Sequence, residues 1–505
     1  MELTEIRFGT SELPATSMDR DRVTAQSVIV RFNWFTALWT RTIPMDVTLV
    51  KPQFHIEQDP DGQWITTKLG KPEPPGWLKQ ELTVVRLQDA TLVMIPHHGS
   101  TGKSTKPIHL SQINGTTHLT YAVTGGTLLD ENPLEQLNFI IQGKIVDFNG
   151  KNHGNLDLSG EFNPVGERLA MSLRGTGLPM PVLTQLTNLP LDVQSGKANT
   201  NLETRFQRNQ PPNLKGRLSF VGGSVQVVGL PQLLTNMNGD FRFHDQKIVV
   251  ERGEATYAGA PMLLSGGVHL TQGYDLRVHV QPTDISELFK TLEIKTPVSV
   301  TGIAKANLTV QGELGNPIFT GTLAAVKPVQ IDKLTFNGLE ANVVANPQSM
   351  LFTRIQASPD FGGQLTGQAR VQMGQNPTLL SDLQATGVPG DKLAAIYRQT
   401  PNFSIGPISI RMQVTGSLNS QTTLDSPTIP KEPLIPSSTQ SPINESNPLQ
   451  TLISWQAPFS RYPNSGEVLL RGHTTYLNNL VARVGGVVWR LKVRVWKING
   501  KLWSK

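Results

Sequence analysis

The chain has 505 residues, no cysteine, a net charge of +6 and an isoelectric point of 9.3. The lack of cysteine excludes disulfides, thiolate metal sites and a cysteine nucleophile. Aromatic residues make up only 6% of the chain, and the 45 glycines and 36 prolines argue against long helices. A run of basic residues with interleaved aromatics occurs only near the C-terminus, so we predict no nucleic-acid partner.

No apolar run approaches the length needed to cross a bilayer, because 28–30 ends at Arg31 and 32–39 is too short. The first residues also lack the charged and apolar regions of a signal peptide. For a protein that works outside the cytoplasm, we therefore expect the targeting segment to be missing from this sequence.

Two segments near the N-terminus resemble functional loops, but each has a simpler interpretation. The segment 59–62, Asp-Pro-Asp-Gly, resembles a cation loop, yet its oxygen ligands do not continue, which favours a β-turn. The segment 97–104 ends in Gly-Lys-Ser like a phosphate-binding loop. Its first glycine is replaced by His97 and no long helix follows, so we favour a glycine-rich turn.

Four histidines, His97, His98, His109 and His118, lie close enough in sequence to suggest zinc. Their spacing matches no zinc pattern, which favours exposed histidines on loops and strands. No nucleophile elbow, serine-histidine-acid set or pair of converging carboxylates can be argued from the sequence. We therefore predict a protein that is not an enzyme and that has no metal or cofactor.

The chain repeats itself about every hundred residues. Three Leu-Ser/Thr-Gly steps end at Gly160, Gly266 and Gly367, with spacings of 106 (266 − 160) and 101 (367 − 266). Repeats of this kind stack, each covering the apolar face that its neighbour leaves open. The sequence therefore predicts an elongated repeat architecture.

Each repeat also contains a short helix-like segment followed by a proline. These segments are 179–186, 284–292 and 391–397, and the prolines that follow are Pro190, Pro297 and Pro407. In the second segment, Asp284 and Glu287 are spaced as in a capping box. Helices of two turns are too short to form a domain, so we expect them to cap a sheet.

Period-two alternation predicts strands between these landmarks, as in 202–206, 276–280 and 408–414. We expect Arg277 and Arg411 to point outward and to tolerate substitution. Alternation does not separate an open apolar groove from a packed β-solenoid, because both bury one face. The residues predicted to line the apolar face are Leu202, Phe206, Leu276, Val278, Val280, Leu308, Val310, Ile408, Ile410, Met412 and Val414.

The C-terminal part departs from the repeat twice. Residues 420–447 hold five prolines among serines, threonines and asparagines, which predicts a disordered insertion. The stretch 487–497 is basic and tryptophan-rich, unlike the glycine-rich repeats. We interpret it as the end of a truncated or split sequence whose last residues are out of frame.

Several short motifs in the N-terminal stretch occur together in one known family. They are Ile6-Arg7-Phe8-Gly9, Leu13-Pro14-Ala15-Thr16, Arg22-Val23-Thr24, the segment 41–52 (RTIPMDVTLVKP), Ile56-Glu57-Gln58-Asp59 and Asp61-Gly62-Gln63-Trp64. This region resembles the membrane-proximal part of TamB-type proteins of the AsmA-like superfamily. The repeats from about residue 155 to 480 resemble the body of the cyanobacterial and plastid members.

The resemblance implies a β-taco, a long sheet folded into a trough that is apolar inside and polar outside. It also implies a periplasmic protein anchored in the inner membrane, which supports outer-membrane protein assembly or phospholipid transport and meets an Omp85-type barrel through a C-terminal domain. The anchor helix and that domain are absent from this sequence. The alternative is a structural or adhesive β-repeat protein without lipid.

These interpretations together divide the chain into four parts. Residues 1–145 form an AsmA/TamB-like membrane-proximal β region, and 146–418 form β-taco repeats of about 105 residues. Residues 419–449 are the disordered insertion, and 450–505 are a partial repeat with the basic tail. The expected fold class is all-β and mostly antiparallel, with a few short helices.

Overall fold

A computed structural model describes the chain in residues 2–8, 23–33, 35–36, 42–58, 64–65, 79–96, 106–121, 134–147, 153–184, 191–207, 213–227, 230, 232–269, 271–291, 299–374, 377–396, 404–417, 449–471, 474–484, 486–498 and 501–503. The described chain is mostly β-strand with three short helices, which confirms the predicted all-β class. It divides into two compact units, the first formed by 1–228, 233–255 and 265–272, and the second by 229–232, 256–264 and 273–505.

Among the described residues, the first unit contains thirteen complete strands and the helix α1 (Met180–Thr184). Its strands are β1 (Glu2–Phe8), β2 (Val23–Phe32), β3 (Thr42–Val50), β4 (Gln53–Gln58), β5 (Trp64–Ile65), β6 (Lys79–Ile95), β7 (Ile108–Tyr121), β8 (Leu134–Val146), β9 (His153–Asn163), β10 (Arg168–Pro179), β11 (Leu191–Gln207), β12 (Asn213–Val227) and β13 (Leu234–Asp245). From β6 to β13 each strand pairs antiparallel with the next.

The N-terminal strands of the first unit add parallel pairing to this pattern. Strands β3 and β4 form one bent segment that runs parallel to β6, while β2 pairs antiparallel with β3. The bend is fixed on both sides, because the Lys51 amide donates to the Gln88 carbonyl and the Thr91 amide donates to the Pro52 carbonyl, each at 2.8 Å. Alternation cannot distinguish parallel from antiparallel neighbours, so the sequence did not predict this arrangement.

The second unit contains helices α2 (Ile285–Thr291) and α3 (Gly390–Ile396). Strands β14 (Lys247–Tyr257) and β15 (Ala260–His269) have residues in each unit. The strands of the second unit are β16 (Gly273–Asp284), β17 (Val300–Thr301), β18 (Ile303–Gly312), β19 (Ile318–Ala325), β20 (Val329–Ile331), β21 (Leu334–Ala345), β22 (Ser349–Pro359), β23 (Gln364–Gln372), β24 (Thr378–Pro389), β25 (Pro407–Ser417), β26 (Gln450–Ala457), β27 (Asn464–Arg471), β28 (Thr474–Val484), β29 (Val487–Ile498) and β30 (Lys501–Trp503).

The second unit is an antiparallel meander. Strand β16 pairs with β18, β18 with β19, β19 with β21, and each strand from β21 to β29 with the next. Residues 487–497, predicted to break the repeat, lie in β29 and continue the sheet beside β28. Of the predicted insertion at 419–449, residues 419–448 lie outside the described residues.

The three predicted helices are present, and they begin 105 residues apart (285 − 180 and 390 − 285). Each follows a strand whose pairing register shifts just before the helix, between Gly175 and Leu178, Val280 and Thr283, and Ala385 and Val388. A register shift of this kind is a β-bulge, which turns the chain out of the sheet. The 105-residue spacing agrees with the repeat length predicted from the sequence.

The first and third helices share a further detail. Gly177 and Gly387 both have a φ of 64°, in the left-handed region that favours glycine. The residues that follow them, Leu178 and Val388, are 0% and 1% exposed. The same Thr-Gly-aliphatic-Pro sequence at 176–179 and 386–389 therefore directs the chain from strand to helix in both places.

Two of the glycines that mark the repeat are required by close packing between strands. A Cβ atom at Gly160 would overlap the carbonyl oxygen of Ala170 on β10, and one at Gly367 would overlap that of Asp382 on β24. A side chain at either position would push neighbouring strands apart.

Helix α2 begins at an aspartate cap, as the sequence predicted. The Asp284 carboxylate accepts hydrogen bonds from the Ser286 hydroxyl at 2.5 Å, the Ser286 amide at 2.8 Å and the Glu287 amide at 3.3 Å. These bonds lower the pKa of Asp284 from its ordinary value of 3.8.

We expect helix α2 to loosen in acid. Because the pKa of Asp284 is lowered by folding, the cap contributes stability above about pH 3.8 and loses it as the pH falls through the lowered pKa. The protection factors of the α2 amides in hydrogen exchange should therefore fall as the pH is lowered from about 5 to about 2. Asp284→Asn keeps the acceptor oxygen and should remove this pH dependence; persistence of the dependence in that variant would contradict the assignment.

Candidate apolar binding face

Strand β16 defines two faces of the part of the sheet that belongs to the second unit, here called the second sheet. Leu276 and Val280 are half-buried and Val278 is buried, whereas Arg277 and His279, which alternate with them, are exposed. We call the side of Val278 the apolar face and the side of Arg277 the polar face. The alternation predicted for this strand is confirmed.

Strand registers extend the apolar face across the second unit, because directly paired residues project to the same side of a sheet. A first row joins the predicted residues Leu276 and Val310, and a second joins Val278 and Leu308 to Val414. The first row is Leu276, Val310, Phe319, Ala345, Met350, Val371 and Leu379. The second row is Val278, Leu308, Gly321, Val343, Phe352, Ala369, Ser381, Val414, Thr451 and Leu470.

The remaining predicted residues of the second unit fall on the same face. Met412 pairs with Leu383 and Ile453, and Ile410 pairs with Ala385 and Trp455. Most residues of these rows are only half-buried, so the sheet leaves a continuous apolar strip partly open to water.

The first unit has an equivalent apolar face. Leu202 belongs to a row formed by Ile141, Leu158, Leu173, Leu202, Gly216 and Phe243. Phe206 belongs to a neighbouring row with Leu137, Phe162 and Leu169. Phe162 and Phe206 are 36% and 41% exposed. Two aromatic rings on the apolar face of the first unit are therefore available for contact.

A closed core in each unit lies at the strand ends from which a helix begins. In the first unit, α1 contributes Val182 to a cluster with Ile108, Ile145 and Leu178. In the second unit, Phe361, Val388, Ile408 and Ala457 form a cluster against which α3 residues pack. Ile408 is thus a core residue, and Ile410 packs against the same cluster.

Two buried hydroxyls interrupt the apolar face of the first unit. Thr204 is 6% exposed, and within the described part of the chain its Oγ1 atom has no hydrogen-bond partner. On the same strand and face, Thr200 is 8% exposed, but its hydroxyl donates to the Arg217 carbonyl at 3.2 Å. The two threonines differ in hydrogen bonding while sharing burial.

We expect Thr204→Val to stabilise the protein by about 1 kcal/mol, because it removes a buried polar group that has no partner. The matched change Thr200→Val should destabilise it by a similar amount, since it removes the hydrogen bond that the hydroxyl donates to the Arg217 carbonyl. Urea unfolding of both variants measures the difference. Equal shifts in the same direction would contradict this account of the two sites.

The polar face carries hydrogen bonds between strands. Arg411 donates to both carboxylate oxygens of Asp382, at 2.9 and 2.6 Å. The pKa of Asp382 is lowered chiefly by these hydrogen bonds, and that of Arg411 is raised. Arg411 points outward as predicted, but it is engaged in an ion pair, so Arg277 is the simpler control position.

No cluster of potential metal ligands is present in the described ranges. Within them, no group of three His, Cys, Asp or Glu side chains could hold a metal ion. His109 and His118 are exposed on β7, while His97, His98 and the segments 59–62 and 97–104 lie outside the described residues. No helix among the described residues has the length and apolar character needed to cross a membrane.

Comparison with known proteins adds no relative. The chain matches no protein-family model, no curated protein and no solved structure.

Proposed function

We propose that the apolar face of each sheet holds acyl chains of phospholipid, with their head groups in water along the open side. In this proposal the strips form the floor of a β-taco trough, and the protein is a non-enzymatic lipid carrier or scaffold. The observation that carries the proposal is the pair of apolar rows in the second unit. They cross successive strands and stay half-buried instead of closing into a core.

The energy of burial supports this proposal. Each methylene group transferred from water to an apolar surface contributes about 0.8 kcal/mol, so an acyl chain that buries about ten methylenes gains about 8 kcal/mol. Most of this gain requires no particular side-chain geometry, only a continuous apolar surface. Such a surface accepts a range of phospholipids, in contrast to a pocket that selects one head group.

The resemblance to TamB-type proteins extends the proposal to location and partners. A protein of this kind would work in the periplasm in association with the inner membrane. It would support outer-membrane protein assembly or phospholipid transport, and would meet an Omp85-type barrel through a C-terminal domain. The N-terminal motifs and the 105-residue repeat support this hypothesis.

Native mass spectrometry of the purified protein, together with extraction and identification of bound lipid, tests the proposal. Phospholipid should co-purify with the protein. It should be exchanged when an excess of phospholipid of different mass is added. Protein free of lipid that also fails to take up added phospholipid would favour the structural or adhesive alternative.

A further inference from the structure

Two neighbouring hairpin tips in the second unit expose large apolar side chains. The first tip connects β26 to β27 and carries Phe459, which is 79% exposed. The second connects β28 to β29 and carries Val484, Val487 and Val488, which are 43%, 56% and 48% exposed. The tips lie side by side, because the Arg483 amide donates to the Pro463 carbonyl at 2.9 Å.

The first tip is held rigidly rather than left as a loose loop. The Ser460 hydroxyl donates to the Ser404 carbonyl at 3.3 Å and accepts from the Tyr462 amide at 3.3 Å. The Asn464 side chain donates to the Tyr462 carbonyl at 2.9 Å and accepts from the Trp455 indole N–H at 3.0 Å. The backbone that carries Phe459 is therefore held in one conformation, which reduces the entropy cost of binding.

The two tip segments themselves carry charge of one sign. Arg461, Arg483 and Arg490 are exposed, and the segments 456–466 and 479–490 contain no aspartate or glutamate. The nearby carboxylate of Asp391 keeps its negative charge, because it accepts hydrogen bonds from the Ile405 amide at 2.8 Å and the Ser404 hydroxyl at 3.0 Å, which lower its pKa. An exposed apolar surface surrounded by arginines is complementary to a surface that is apolar beneath and anionic outside.

We propose that Phe459, Arg461, Arg483, Val484, Val487 and Val488, here called the Phe459 surface, dock on the interface of an anionic phospholipid bilayer. The phenyl and valine side chains enter the boundary between head groups and acyl chains, while the arginines contact lipid phosphates. The charge around the tips favours this occupant over an uncharged protein groove. This proposal does not depend on acyl chains binding the apolar face, because the two use different residues.

Co-sedimentation with vesicles tests the proposal. The protein should bind vesicles of phosphatidylcholine with phosphatidylglycerol, and bind vesicles of phosphatidylcholine alone much more weakly. Because one arginine near an anionic surface contributes about a factor of five to binding, Arg461→Gln and Arg483→Gln should each lower the partition coefficient about fivefold. Phe459→Ala should weaken binding at every ionic strength, whereas the arginine variants should differ most from the parent protein in low salt.

The matched controls are Val165→Ala and Arg277→Gln, which alter exposed residues elsewhere and should leave vesicle binding unchanged. The absence of cysteine allows a polarity-sensitive fluorophore at Phe459→Cys, with Val165→Cys as its control. When anionic vesicles are added, the fluorescence emission should shift to shorter wavelength for the label at position 459 and not for the label at position 165. Equal binding to both vesicle types, binding unaffected by the three variants, or a change of oligomeric state as the main effect of Phe459→Ala would overturn the proposal.

Discussion

Replacing Leu276, Leu308 and Met412 together by glutamine should remove bound phospholipid from the protein. All three are half-buried residues of the apolar face, so the new amides lie where an acyl chain would pack. Each amide desolvated without a partner costs about 1 to 2 kcal/mol, and three of them should lower lipid retention at least about tenfold. The measurement is the amount of lipid per protein by native mass spectrometry. Val278 and Val310 are poorer targets, because both are buried and their replacement would also destabilise the fold.

The second sheet provides a matched control on its opposite side. Val344, Leu351 and Leu380 lie on the polar face, and Val344 and Leu380 are 44% and 46% exposed. Changing these three to threonine, glutamine and glutamine introduces similar polarity without touching the apolar rows, and lipid retention should be unchanged. Equal loss from the two triple variants, at equal unfolding midpoints, would mean that the face itself does not bind lipid.

Leu178→Ala should destabilise the protein by about 3 to 4 kcal/mol. The side chain is fully buried between α1 and the ends of its neighbouring strands, and truncation leaves a cavity that the sheet cannot close. Val388→Ala, at the equivalent point before α3, should cost about 2 to 3 kcal/mol because the deleted group is smaller. Thermal and urea unfolding measure both effects.

The control for these variants is Leu263→Ala, since Leu263 is 41% exposed on β15 and should shift stability by less than about 1 kcal/mol. If Leu178→Ala lowered the free energy of unfolding no more than Leu263→Ala, the assignment of Leu178 to a closed core at the bulge-to-helix junction would be contradicted.

Much of the strand and helix pattern could be predicted from local sequence. The alternation in 276–280 and the cap at Asp284 depend on neighbours within one strand or one turn, and the structure has both. The repeat was also visible, because glycines such as Gly160 and Gly367 are fixed by contact with the next strand. The junction at Gly177 and Gly387 was missed, although its Thr-Gly-aliphatic-Pro sequence recurs after 210 residues (387 − 177).

Other features could not be predicted, because they depend on strand register. The pairing of Leu276 with Val310, or of Phe162 with Leu169, joins residues whose partnership no local pattern specifies. The difference between Ile408, which is in a core, and Met412, which is half-buried, follows from the position of α3. The parallel pairing of β3 with β6 likewise depends on the path of the chain between them.

The most direct test of the apolar face compares two adjacent residues on opposite sides of one strand. Leu379 belongs to the first apolar row, whereas Leu380 pairs with Arg370 on the polar face and is 46% exposed. A fluorophore would be attached to Leu379→Cys or Leu380→Cys and titrated with phospholipid that carries a nitroxide on its acyl chain. We predict strong, saturable quenching at position 379 and little at position 380. Equal quenching at the two positions, or none at either, would contradict the proposal that the apolar face holds acyl chains.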